Sequence, residues 1–280
     1  MRIWRAVSDM PKDLRGGFQT HWTSYGHGPR QAVLIHCTLA HAGAWTGLSA
    51  HLGDMANMIA FDLPSHGRSD VWTPEAGDTQ MLSVNMAADF IDGPVDLIGH
   101  SFGATVALRL AVERPDLVRS LVLCEPVFFA IARADDPAGQ TQSEADMREF
   151  MEALDIGDME TAGRSFVDYW DGAGKWDSLT ESARKSVTTQ MAFIAAGEAT
   201  LYEDTAGLIE SGALEKIEAP TLLIDGADSP KSMGTINTGL AARIPNATRT
   251  IIFGAGHMVP ISHPMAVAAE IKAFWRMNPA

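Results

Sequence analysis

Val95-Asp96-Leu97-Ile98-Gly99-His100-Ser101-Phe102-Gly103-Ala104-Thr105-Val106-Ala107-Leu108-Arg109-Leu110 reads as a short buried strand, a sharp turn and a helix. At its centre, Gly99-His100-Ser101-Phe102-Gly103 has the G-x-S-x-G pattern of a nucleophile elbow. Glycines flank the serine because the turn is too tight, and the helix too close, for larger side chains. The turn lifts the serine hydroxyl at the carboxyl end of the strand and the amino end of the helix, where backbone N–H groups and the helix dipole favour developing negative charge. Five residues alone would also suit a glycine-bearing turn with an accidental serine; the flanking strand and helix make Ser101 a candidate nucleophile.

The same rhythm extends in both directions. Residues 18–25 alternate weakly and end at Gly26-His27-Gly28-Pro29, which predicts an antiparallel edge strand and a turn. Nearly continuous apolar runs at 31–36, 57–61, 95–98, 119–124, 220–224 and 248–253 suit strands covered on both faces. Helical patterns at about 44–53, 79–91, 102–113, 230–244 and 264–276 lie between them. Strand and helix in alternation predict an α/β fold: a mostly parallel central sheet of about eight strands with helices on both faces. From 127 to 215 the rhythm stops. Only helical pieces are legible there, at Glu144–Leu154, Asp158–Tyr169, Glu181–Ala196 and Ala199–Ile209, separated by Gly157, by Asp171-Gly172-Ala173-Gly174 and by Gly197. The expected organisation is therefore a core of 1–126 and 216–280 with a helical cap, or lid, at 127–215. The cap carries Phe128, Phe129, Met147, Met151, Phe166, Tyr169, Trp170, Trp176, Met191 and Phe193. Most of these suffice as cap core, and as a set they are expected to include the lining of an apolar substrate pocket.

Composition sets the limits. For a chain of 280 residues, a net charge of −14 argues against nucleic acid or an anionic membrane as a partner, since both demand a basic surface. Met1–Asp9 lacks the apolar core of a signal peptide, and no run approaches the ~18 apolar residues of a membrane span, so a cytoplasmic protein is expected. Cys37 and Cys124 are too few for a disulfide framework and lack metal-ligand spacing; two reduced, buried thiols are expected, with no metal and no cofactor. The expected partner is a small-molecule acyl substrate, and a homodimer stays open.

A serine hydroxyl needs a neighbouring base, and the base needs a partner to hold its tautomer. Of nine histidines, His257 lies on the glycine loop Gly254-Ala255-Gly256-His257 just after the last strand, at the sheet edge it would share with Ser101. Here the chain resembles the α/β-hydrolase-fold superfamily, serine hydrolases with a helical lid, over nearly all its length. The resemblance is carried by Leu34-Ile35-His36, by Asp62-Leu63-Pro64-Ser65-His66-Gly67-Arg68-Ser69, by the elbow, by the cap interval and by Gly256-His257-Met258 with His263-Pro264.

The resemblance implies that Asp62, Arg68 and their neighbours brace the loops around the site. It also implies an oxyanion hole from the N–H of Phe102 and a second N–H after the third strand, Thr38 by position with Leu39 as a near alternative. Cys37 stands where relatives commonly carry glycine, so a second nucleophile there is the less favoured reading. The acid is left between two carboxylates. The usual slot after the seventh strand holds Ser229, with Asp228 one residue early. The alternative slot after the sixth holds Glu125, which is slightly preferred; Asp225 is expected to be structural. The implied activity is hydrolysis of a carboxylic ester, a lactone or a cleavable C–C diketone, with a non-hydrolytic binding protein or cofactor-free peroxidase-like enzyme as the alternative. Ser101 in place of an aspartate argues against the dehalogenases and epoxide hydrolases of the fold.

Overall fold

The computed structural model describes residues 12–279. The stretch Met1–Asp9 read for a leader, and with it the first eleven residues of the expected core, lies outside the described residues. Eight strands form one sheet: β1 (Lys12–Arg15), β2 (Phe18–Gly26), β3 (Arg30–Ile35), β4 (Ala56–Phe61), β5 (Val95–His100), β6 (Val118–Cys124), β7 (Thr221–Gly226) and β8 (Ala247–Ile252). Their order is β1-β2-β4-β3-β5-β6-β7-β8, antiparallel from β1 to β4 through β2 and parallel elsewhere. The expected edge strand, β2, is not the edge. β1 pairs with it through a Gly16-Gly17 turn whose positive φ values only glycine adopts easily. Lys-Asp-Leu-Arg, polar on both faces, gives β1 no alternation by which to be read.

The helices are α1 (Thr46–Leu52), α2 (Thr79–Ala88), α3 (Phe102–Glu113), α4 (Phe129–Asp135), α5 (Pro137–Asp146), α6 (Arg148–Asp155), α7 (Met159–Asp171), α8 (Glu181–Tyr202), α9 (Lys231–Arg243), α10 (Val259–Ser262) and α11 (Pro264–Met277). Because β5 and β7 are buried at every residue, each parallel strand must be covered twice. One face is packed by α1 and α11 through Trp45, Leu48, Ile271 and Trp275. The other is packed by α2, α3 and α9, over which α4–α8 lie. At the amino end of β5 the fully buried Asp96 accepts from Arg30, Arg119 and Ser120. Burial pushes its pKa up, but these hydrogen bonds prevail and hold it below the usual value.

Between β6 and β7 the described residues form helices and turns and no strand. Three readings of that interval are corrected. Gly197 does not break a helix: α8 runs through it to Tyr202, and the missing side chain lets α8 approach Thr79 and the Phe102 ring, which a Cβ would meet at 3.2 and 3.6 Å. The helix expected to run to Ile209 stops there because Asp204, at φ 48°, takes the N–H groups of Leu208 and Ile209 into a turn. Glu144–Leu154 is not one helix; α5 starts at Asp136-Pro137, whose aspartate caps Gly139 N–H, and gives way to α6 at Met147.

Candidate active site

The loops that matter leave the carboxyl ends of β3, β5, β6 and β8, three of them adjacent in the sheet, where ligands of open parallel sheets bind. Ser101 follows β5 at φ 55° and ψ −119°, a conformation that costs a non-glycine residue about 1–3 kcal/mol. The turn is held by Ser101 N–H donating to Cys124 O at 2.9 Å and by Ala104 N–H donating back to Ser101 O at 3.0 Å. Gly103 must be glycine, because a Cβ would collide with the carbonyl oxygens of Ile35 and His36.

His257 and Glu125 complete a line. Ser101 Oγ lies 3.0 Å from His257 Nε2, and His257 Nδ1–H donates to Glu125 Oε2 at 3.0 Å. Glu125 is fully buried directly after β6, at φ 52°, so a second strained non-glycine residue serves the same line. Its other oxygen accepts from Gly226 N–H at 2.6 Å and from the Ser229 hydroxyl at 2.8 Å. Ser229, in the slot where an acid was sought, thus holds the Glu125 carboxylate that follows the neighbouring strand. Asp228, kept as the other candidate, has an exposed side chain; its backbone N–H donates to Ala255 O. Asp225 is occupied by Arg249, at 2.9 and 2.6 Å, and by Asn237.

The histidines around this line are neutral struts. His100 Nε2–H donates to the His257 carbonyl at 2.8 Å, fixing the backbone of His257, and burial pulls the His100 pKa down to about 3. His36 donates to Cys37 O and accepts from Leu63 N–H; His66 donates to Pro64 O and accepts from Leu39 N–H. Burial holds these two at about 4 and about 3. Asp62 accepts from Ala42 N–H, Arg68 N–H and His21 Nδ1–H, tying together the loops after β3 and β4.

Thr38 and Phe102 line the same cavity as Ser101. Phe102 is the first residue of α3, so its N–H has no acceptor within the helix. On the loop after β3, Leu39 N–H is committed to His66 at 3.0 Å, whereas Thr38 N–H has no protein acceptor among the described residues. That favours Thr38 over its neighbour. Cys37 is buried and its thiol is pushed up to about 12 by burial, which leaves no thiolate to compete with Ser101.

Two cavities meet at Ser101. One, of about 460 Å³ with its mouth, is walled by Phe129, Phe150, Phe166, Trp170, Phe193 and Leu201 from the helical interval, with Met147, Glu198 and Tyr202. The other, of about 410 Å³, lies between Cys37, Thr38 and Leu39 on one side and Trp170, Asp171, His257 and Met258 on the other. Trp170 divides them, its ring centroid 4.1 Å from that of His257. Of the aromatic and methionine residues singled out by sequence, Phe129, Met147, Phe166, Trp170 and Phe193 line the first cavity; Phe128, Trp176 and Met191 are buried in the core instead. Sequence reasoning missed Phe150, Leu201, Tyr202 and above all Glu198, an acidic residue on a helix that reads as solvent-facing. Among the described residues no three His, Cys, Asp or Glu side chains converge as a metal site, and no helix is long and apolar enough to cross a membrane.

Residues 32–270 match the model of the Alpha/beta hydrolase family. The chain is 27% identical over 268 residues to an (E)-2-((N-methylformamido)methylene)succinate hydrolase from Acinetobacter baylyi, covering 92% of this chain and 95% of that one. It is 29% identical over 248 residues to a pimeloyl-[acyl-carrier protein] methyl ester esterase from Nitrosomonas europaea, covering 87% and 94%. In structure it resembles MGS-M2, an alpha/beta hydrolase enzyme from a Medee basin deep-sea metagenome library, with TM-score 0.75 at 16% identity over 96% of this chain and 98% of that one.

Proposed function

Because this chain belongs to the alpha/beta hydrolase family and is a hydrolase, we propose that it is a serine hydrolase acting through Ser101, His257 and Glu125 on a small, largely apolar carboxylic ester or lactone. The observation that carries this reading is the unbroken hydrogen-bonded line from Ser101 Oγ to Glu125, 3.0 Å at each step, buried at the meeting of two cavities.

The chemistry follows from the geometry. Ser101 O–H gives its proton to His257 Nε2 as Oγ attacks the acyl carbonyl, and Glu125 stabilises the imidazolium that forms. The carbonyl oxygen, now an anion, takes hydrogen bonds from Phe102 N–H and Thr38 N–H. His257 protonates the leaving alcohol, leaving the acyl group on Oγ; water, deprotonated by the same histidine, then releases the acid. The aromatic cavity suits the acyl chain and the other, more polar one the alcohol, so α4–α8 act as a lid that sets chain selectivity. The named activities of the two relatives, a methyl ester esterase and a hydrolase of a substituted succinate, support cleavage of a carboxylic acid derivative. Two buried, unpaired thiols support a reducing compartment, the cytoplasm.

The test is turnover of p-nitrophenyl esters of graded chain length by the parent and by Ser101→Ala. The parent is expected to favour short to medium acyl chains. The variant is expected to lose at least about 10⁴ in kcat with an unchanged thermal transition, since one hydroxyl and no core volume is removed. Activity of Ser101→Ala within tenfold of the parent would refute the serine mechanism.

A further inference from the structure

Glu198 has no task in the reaction just described. It projects from α8 into the cavity that also contains Ser101 and Phe102, among Phe129, Phe150, Ile194 and Leu201. Its Oε2 is shielded from solvent and has no hydrogen-bond partner among the described residues. An unpartnered carboxyl in such surroundings is costly, and a carboxyl needed only for packing would be better replaced by an apolar side chain of similar size. Arg133, the nearby cation, is already committed: its Nε donates to Glu144 at 2.8 Å, its Nη1 donates to Tyr202 O at 3.0 Å, and its guanidinium lies over the Tyr202 ring.

We propose that Glu198 is a substrate-recognition group, a carboxyl that hydrogen-bonds an uncharged oxygen function on the acyl chain, so that the preferred substrates are oxoacyl or hydroxyacyl esters rather than plain alkyl esters. Burial, opposed only in part by Arg133, raises its pKa to about 8, so near neutrality the group is an acid that can both donate and accept. A keto or hydroxyl oxygen beside Oε2 satisfies the orphaned group, whereas a methylene there leaves it unpaired. A substrate carboxylate would meet a carboxyl about to ionise, and the cavity offers it no uncommitted cation. Of the other polar groups lining this cavity, Thr38 and Ser101 belong to the reaction centre, while the Tyr202 hydroxyl and Trp170 Nε1–H, the latter also without a partner among the described residues, can donate to the same oxygen that Glu198 holds. This substrate class rests on acylation of Ser101, since Glu198 is placed by the cavity that Ser101 opens into.

The experiment compares matched p-nitrophenyl esters that differ by one oxygen: pentanoate with 4-oxopentanoate, hexanoate with 5-oxohexanoate, and heptanoate with 6-oxoheptanoate, with 6-aminohexanoate as a cationic control. For at least one pair the parent is expected to favour the oxo ester by about tenfold in kcat/KM, the value of one net hydrogen bond. Glu198→Leu should bring that ratio close to one. Glu198→Gln, which keeps a donor and an acceptor, should retain most of the preference. Thermal melting of the leucine variant at or above the parent's temperature would show that the fold is intact. Ratios near one for every pair in the parent, or an unchanged preference in Glu198→Leu, would overturn the assignment while leaving the serine mechanism standing. Preference for the aminoacyl ester would overturn the uncharged class. If the parent cleaves no ester of either kind, the Ser101 reading falls and this one with it.

Discussion

Replacing Glu125 with glutamine removes a charge and almost no volume, and the structure sets the size of the effect. Oε1 is held by Gly226 N–H and Ser229, so in the variant the amide oxygen keeps those two bonds and the NH₂ takes the place of Oε2. That NH₂ then faces His257 Nδ1, where a donor would meet a donor. The imidazole must move its proton to Nε2, opposite Ser101, and can no longer accept the hydroxyl proton. The imidazolium formed in the transition state also loses its anion. At the observed 3.0 Å and an effective dielectric of about 20, that attraction is about 5.5 kcal/mol, or about 10⁴ in rate. Steady-state kinetics on a p-nitrophenyl ester should show the whole loss in kcat, with KM changed little, because the acid touches no substrate. Asp228→Asn is the control: its exposed side chain leaves kcat within about twofold, as surface changes away from a site usually do. More than a tenth of the parent's kcat in Glu125→Gln, or the large loss in Asp228→Asn, would refute the reasoning.

Ser229→Ala removes one of the two bonds to Glu125 Oε1 and leaves Gly226 N–H in place, so kcat should fall about tenfold with melting unchanged; a loss as large as that of Glu125→Gln would mean that Ser229 does more than anchor the acid. Acid should destabilise the fold through His36, His66 and His100, held neutral in the native state with pKa values of about 4, 3 and 3 against 6.5 unfolded. Below pH 6.5 the unfolded chain binds protons first, so each of the three removes about 1.4 kcal/mol of stability per pH unit until its native pKa is reached. Glu198, with its raised pKa, works in the opposite direction over pH 4.5 to 8 but is outnumbered three to one. Urea midpoints should therefore drop between pH 6.5 and pH 5, and a flat profile would show that these histidines titrate freely.

The parallel strands, the elbow and α3 were legible because burial on both faces leaves continuous apolar runs and because a tight turn demands Gly99 and Gly103 where they stand. The helical interval was legible as helix but not in its divisions. Gly197 has the appearance of a breaker in sequence, and the close approach of Thr79, with the Phe102 ring behind it, explains a glycine inside a helix. β1 carried no signal, since an exposed four-residue strand needs neither alternation nor apolar content. The choice between Glu125 and Asp228 could be narrowed but not closed, because it depends on which loop turns its side chain towards His257. That direction is set by the positive φ of Glu125 and the hydroxyl of Ser229, both local in space and remote in sequence. Glu198 was missed for the same reason: on a helix wheel it is an ordinary charge, and only the packing of α8 against α4 and α7 turns it into a cavity wall.

The central claim is a covalent acyl group on Ser101, and rapid-quench mass spectrometry tests it most directly. The parent, mixed with excess p-nitrophenyl ester, should release a burst of p-nitrophenol close to one equivalent per chain and, quenched in acid at that moment, should carry the acyl mass on the peptide containing Ser101. Ser101→Ala should show neither. An acyl group on Cys37 or another residue, or turnover by Ser101→Ala at the parent's rate with no adduct, would contradict the account.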